Sequence, residues 1–232
     1  MIFLAVTMGF FAESYREHLA DKEKEKQSIE SLIQCLASDT TQLKVIIHAN
    51  TKVVGHLDSL IFLRNAHLNV TENKRKFLSH SIVGFKEDWY FRTNDAALQQ
   101  LKSSGTLRLI HKQNIIDSVF EYDTKNKALI AQEADCYFLF KTFAIEYEKA
   151  VDLSFYRDTS VLKYNLGYNN SDINLKKVDA ISISADYKTI KHLFGNAALL
   201  AVPEEAYTHL MQEQLSYGKN LINFLKHEYD LK

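Results

Sequence analysis

Proline is nearly missing from this chain of 232 residues (Pro203 alone), and glycine is scarce at seven. β-Proteins with many tight turns draw on both residues to reverse the chain, so their shortage argues against a sandwich or barrel and points to long helices. Cysteine occurs twice, at Cys35 and Cys136, each inside an apolar helical pattern. Two buried free thiols are the plain reading; a disulfide between them stays open, and one pair does not fix a compartment. The chain has no C-x-x-C and no Cys/His cluster, which excludes a zinc site of familiar spacing. It also lacks H-E-x-x-H, G-x-S-x-G and a phosphate-binding glycine loop, as well as the Glu-x-x-His pairs of di-iron bundles. An excess of charge of either sign is missing too. The net charge is -1, and the densest basic run, Lys74, Arg75 and Lys76, is too short for a nucleic-acid footprint. No nucleic acid, metal or cofactor is therefore expected, and no catalytic residue can be nominated.

What is present is ordinary globular material. Hydrophobic residues make up 46% and charged residues 25%, enough for a sizeable core and incompatible with wholesale disorder. The exception is the start, "MIFLAVTMGFFAESYREHLADKEKEKQ", in which no charge occurs from Met1 to Ala12. As a helix these residues reach about 18 Å, against about 30 Å of hydrocarbon in a bilayer. A cleaved signal peptide would want a basic beginning and small residues where Phe10 and Phe11 stand. A core helix would show a stripe, whereas apolar residues cover every face from Ile2 to Ala12. The stretch therefore reads as part of a transmembrane anchor whose upstream half is missing, with Ile2, Phe3, Leu4, Val6, Met8, Phe10 and Phe11 in lipid. Orientation stays open, since the charge rule counts Lys and Arg on both flanks.

Residues 13–28 alternate in charge and read as a solvated helical stalk. A heptad pattern then begins. Ile29, Leu36, Leu43, Asn50 and Leu57 form one series, and Ile33, Thr40, Ile47, Val54 and Ile61 the other. That suits a two-stranded coiled coil. However, Leu32, Ile46, Val53 and Leu60 add a third apolar position per heptad, and the wider face fits a bundle better. His48 and His56 flank the stripe and are expected in solvent.

Near Asn65 the pattern breaks into a polar loop, "RNAHLNVTENKRK". An aromatic segment follows in which Trp89, Tyr90 and Phe91 read as plugs for one end of a bundle. Thr93 or Asn94 can cap a short helix that ends near Gly105. A long helix then runs from about Lys112 to Val151 on Ile115, Ile116, Val119, Phe120, Ile130, Ala134, Phe138, Ala144, Tyr147 and Val151. A kink is expected at "YDTKNKA" and deep burial at "CYFLFKTF". Residues near 154–184 read as a long loop, with Tyr156, Tyr164 and Tyr168 on it. Together with Trp89 these tyrosines are the candidate interaction or ligand surface. Ser184 can cap a further helix, and Pro203 opens the last one, whose stripe is Leu210, Gln214, Tyr217, Leu221, Phe224 and Leu225.

In "FLAVTMGFFAESYREHLADKEKEK", "SIESLIQCLASDTTQL" and "LKSSGTLRLI" followed by "NIIDSVFEYD", the first 125 or so residues resemble an uncharacterised, domain-of-unknown-function family of bacterial single-pass membrane proteins. The turn "LKSSGTLRLI" is the most specific element. The chain departs from that pattern at Lys112 and Ile116, where members commonly carry Asn and Arg. The resemblance implies an inner-membrane anchor with a short cytoplasmic start and a helical domain on the periplasmic side; it implies no activity.

The expected fold is therefore all-α, with a long N-terminal helix continuing from a membrane anchor (1–12) through the stalk (13–28) into an antiparallel helical bundle (29–232). The expected role is a non-catalytic, membrane-anchored interaction or scaffold domain whose partners are the bilayer, other envelope proteins or its own copies. A ligand-sensing bundle is the alternative, and an enzyme with an unfamiliar site the third.

Overall fold

A computed structural model describes residues 2–83, 90–154, 162–163, 174–175, 178–184 and 186–231. Among them the chain is helical apart from one short pairing: α1 (Ile2–Phe62), α2 (Thr71–Val83), α3 (Ala96–Ser103), α4 (Gln113–Ala150) and α5 (Tyr187–Glu228), with β1 (Leu162–Lys163) antiparallel to β2 (Asn174–Leu175). Short 3₁₀ turns lie at Leu63–Asn65, Thr106–Leu109 and Val178–Ala180. The all-α expectation holds in this form. The chain divides into two compact units. One comprises Met1–Lys44, Phe91–Ala128 and Gln212–Lys232; the other comprises Val45–Tyr90 and Leu129–Met211.

The core of the first unit gathers Ile29, Leu32 and Leu36 of α1, Leu98 and Leu101 of α3, Ile115, Val119 and Tyr122 of α4, and Leu221 and Leu225 of α5. The bundle reading of α1 follows from which positions are buried. Ile29, Leu32, Leu36 and Leu43 are fully covered, while Ile33 is only half-buried, so the face is centred off a coiled-coil seam. The Tyr229 hydroxyl donates to Glu25, so the end of the expected stalk is packed rather than solvated. Direction is read from pairs along the helices. Tyr229 meets Glu25 and Gly218 meets Thr40, while Tyr217 bonds Ser118 and Lys112 bonds Glu228. Thus α5 is antiparallel to both α1 and α4, and α1 and α4 run parallel to each other.

The second unit packs Leu57 and Leu60 of α1, Phe77 and Leu78 of α2, Phe143 and Tyr147 of α4, and Leu193, Phe194 and Leu200 of α5 with Val178 and Ile181. Phe77 meets Phe194 edge-on at 5.9 Å. The expected loop "RNAHLNVTENKRK" is half helix, because α2 begins at Thr71. Asp179 fixes its start, accepting from the Thr71 hydroxyl at 3.0 Å.

Three local expectations change. No break interrupts α4 at "YDTKNKA"; the apolar pattern loosens there because Tyr122, Asp123 and Asn126 are buried polar residues. Pro203 lies inside α5 instead of opening a helix. Asp186, not Ser184, caps the start of α5, accepting from the Thr189 N–H at 2.9 Å and the Lys188 N–H at 3.3 Å. Gly105, with φ 69°, ends the α3 segment in the left-handed conformation that the sequence required.

Candidate functional site

In the first unit, buried polar side chains converge on Asp39 of α1, which is 2% exposed. Its carboxylate accepts hydrogen bonds from the Asn94 N–H at 2.7 Å, the Thr93 hydroxyl at 2.9 Å and the Tyr122 hydroxyl at 3.0 Å. Asn126 Nδ2 donates to the Thr93 oxygen at 2.9 Å, and Gln214 Nε2 donates to Asn126 Oδ1 at 2.6 Å and to the Tyr122 carbonyl at 3.1 Å. Burial raises the Asp39 pKa above the ordinary carboxylate value, and the three donors only partly oppose it. Burial, with Asp39 alongside, likewise pushes the Tyr122 phenol far up. The expected capping residues of α3 are thus used elsewhere. Thr93 and Asn94 tie the approach to α3 onto α1, and Asp95 at the cap position makes no side-chain bond to the backbone. Held on three sides, Asp39 works as a clamp. Nearer the surface, partial burial raises the Asp123 pKa, but Lys127 at 2.9 Å and Lys102 at 3.0 Å outweigh that and leave it lowered.

A second polar group lies in the other unit. Asn50, a core-like position in the heptad, donates through Nδ2 to the Thr208 hydroxyl at 2.9 Å and the Glu204 carbonyl at 3.0 Å. Gln132 Nε2 donates to the Pro203 carbonyl at 3.2 Å. Burial pushes the Glu204 carboxyl up to about 6, against the effect of Asn50. Burial, reinforced by the negative charges of Glu204 and Asp135, pushes the Cys136 thiol up to about 12. A thiol held protonated in this way is a poor nucleophile. His56, expected in solvent, is half-buried, and its Nδ1 lies 3.0 Å from Nδ1 of His80. One ring donates to the other, and burial, with Lys76 adding to it, lowers the His80 pKa. Cys35 and Cys136 are both free and buried, in line with the plain reading.

The membrane expectation is overturned. Among the described residues no helix is long and apolar enough to cross a membrane. The physical reason is length. Crossing takes about 20 apolar residues, and here charge begins at Glu13 and continues through Arg16, Glu17 and Asp21. The single-pass, inner-membrane placement falls with it. Of the residues assigned to lipid, Phe3, Val6, Met8, Phe10 and Phe11 stand exposed on the first turns of α1. Ile2 and Leu4 share that helix, with side chains outside the described ones.

The candidate surface residues Trp89, Tyr156, Tyr164 and Tyr168 all lie outside the described residues. Of the two other plugs, Phe91 is buried, and Tyr90 meets Tyr137 edge-on at 6.4 Å. Among the described residues no group of three or more His, Cys, Asp or Glu side chains is placed to hold a metal ion. Sequence reasoning missed the Asp39 and Glu204 groups. A signal existed for the first: the polar residues Thr40 and Gln214 interrupt apolar stripes, and α4 loosens around Asn126.

The stretch "CYFLFKTF" is not deeply buried throughout. Cys136 and Phe143 point inward, but Phe138 is 69% exposed and Tyr137 is also exposed. Phe120, Ile130 and Ile145 of the same helix face solvent as well. The fold and these sites define an all-helical protein with polar clamps inside and apolar helix faces outside. No family model, curated protein or solved structure matches the chain.

Proposed function

We propose that this chain is a non-catalytic helical interaction domain, a scaffold that offers apolar helix faces to protein partners. One observation carries the reading: the first turns of α1 hold Phe3 at 84% exposure, with Met8, Phe10, Phe11, Tyr15 and Leu19 also in solvent. A contiguous apolar surface rimmed by charge marks an interaction site on most proteins, and Glu13, Arg16 and Glu17 supply the rim. Two groups that chemistry would use are otherwise engaged, which supports a binding role. Asp39 is clamped by three donors, and the Cys136 thiol is held protonated. The turn "LKSSGTLRLI", which carries the family resemblance, adds no activity to this reading. The ligand-sensing alternative depends on Trp89 and the three loop tyrosines, and no described residue favours it.

Photo-crosslinking in cells tests the proposal. A photoreactive residue at Phe10 is expected to yield discrete protein adducts, while the same residue at Glu23, on the charged stretch, yields none. Phe3→Asp with Phe11→Asp should abolish the adducts and leave the circular dichroism spectrum unchanged. Equal adducts at both positions, or adducts untouched by the two aspartates, would refute the role given to α1.

A further inference from the structure

We infer that α4 carries a self-association face on which a second copy of this chain docks antiparallel. The inference rests on the interaction reading above and names the partner.

Between Ile130 and Ile145, α4 leaves a stripe of large apolar side chains in solvent: Ile130 at 50% exposure, Tyr137, Phe138, and Ile145 at 54%. Spacings of seven and eight residues keep them on one side of a helix. Cys136, Phe143 and Tyr147 of the same helix are buried in the chain's own unit, so the stripe is a second apolar side, one that among the described residues meets only Tyr90, edge-on to Tyr137.

The order of residues along this stripe is symmetric under reversal about the midpoint of Tyr137 and Phe138. Turning one copy end over end sets Ile130 opposite Ile145, Tyr137 opposite Phe138, and Ala134 opposite Lys141. It also brings the exposed Asp135 of one copy beside the exposed Lys141 of the other, and does so twice, as a two-fold interface requires. A parallel pairing would set Lys141 against Lys141 on the stripe itself. Charge therefore selects the antiparallel arrangement of two identical helices, just as interhelical charge sets orientation in coiled coils. Lys141 Nζ sits 4.9 Å from the centre of the Tyr137 ring, so its stem already lies along the stripe. The stripe is about 22 Å long and offers a few large side chains, where a standard interface takes about 20–30 residues a side. The dimer is accordingly one that dissociates on dilution.

Sedimentation of the full chain over a concentration series tests this. Monomer and dimer are expected in exchange, with Phe138→Asp weakening the dimer about tenfold or more. Asp135→Lys and Lys141→Asp should each weaken it, and the two together should restore it, all with native circular dichroism. A short thiol crosslinker should join an Ile130→Cys copy to an Ile145→Cys copy faster than it joins either to itself. A chain monomeric at its highest soluble concentration would overturn the inference and leave the stripe to a different protein. A dimer indifferent to Phe138→Asp would overturn it by placing self-association elsewhere. The α1 adducts are scored separately: adducts from a monomeric chain sink the α4 face alone, and a dimer without adducts sinks the α1 role alone.

Discussion

Glu204, half-buried, and Asp39, fully buried, are carboxyl groups whose pKa values rise on folding, so each holds a proton more tightly in the folded chain than in the unfolded one. For Glu204 the folded value of about 6 exceeds the ordinary 4.5. Its stabilising share is therefore complete below about pH 4.5 and is lost as pH rises through about 6. The loss is on the order of 2 kcal/mol. Glu204→Gln should remove that slope, so the difference in urea-unfolding free energy between variant and native chain should grow from pH 4.5 to pH 7 in the variant's favour. Asp39 differs in being surrounded by donors. Asp39→Ala leaves the Asn94 N–H, the Thr93 hydroxyl and the Tyr122 hydroxyl without their acceptor. Buried groups stranded in this way cost about 1–3 kcal/mol each and not additively, so a loss of about 3 kcal/mol is expected in the same measurement. Asp39→Asn, which keeps one acceptor oxygen, should lose less.

Among the helices, α5 shows most clearly how close packing fixes a residue. A Cβ at Gly218 would stand 3.0 Å from Thr40 Cγ2 and 3.2 Å from Tyr122 Cε2, so α1 and α4 both crowd α5 at that point. Gly218→Leu is expected to cost about 1–3 kcal/mol through overpacking, read as a lower midpoint in thermal unfolding. Pro203 shows the converse. Its position read as a helix start, since proline suits the first turn, but buried residues on both sides, Leu200 and Tyr207, hold the helix through it. Similarly, α4 stays unbroken at "YDTKNKA" because its polar side chains find Asp39, Gln214 and Lys102 as partners. Hydropathy along one helix cannot register partners on another.

Across the molecule, packing is uneven. Both units have a buried cluster, yet α1 is exposed from Gly9 to Ala20, a stretch that makes helical bonds without covering a core. Isolated helices are marginal in water, and local opening is easiest where few apolar contacts resist it. Amide hydrogen exchange should therefore be fast from Gly9 to Ala20 and slowest around Leu36, Leu43, Leu57 and Leu60. Slow exchange over the first stretch would mean that its apolar side chains are covered, as an occupied interaction surface would be.

The sequence alone determined the helical class, the wide buried face of α1, the stop at Gly105 and the stripe near the end of α5. These follow from periodicity and from backbone preferences, which are local and can be read along one strand of text. Only the tertiary structure decided that α1 and α4 run parallel, that Asp39 gathers three donors, that Pro203 stays inside a helix and that Phe138 faces outward. Each of these depends on what lies opposite a residue in space. The apolar start shows the limit of the first kind of information: hydropathy marked it as unusual, but among the described residues no helix is long and apolar enough to cross a membrane.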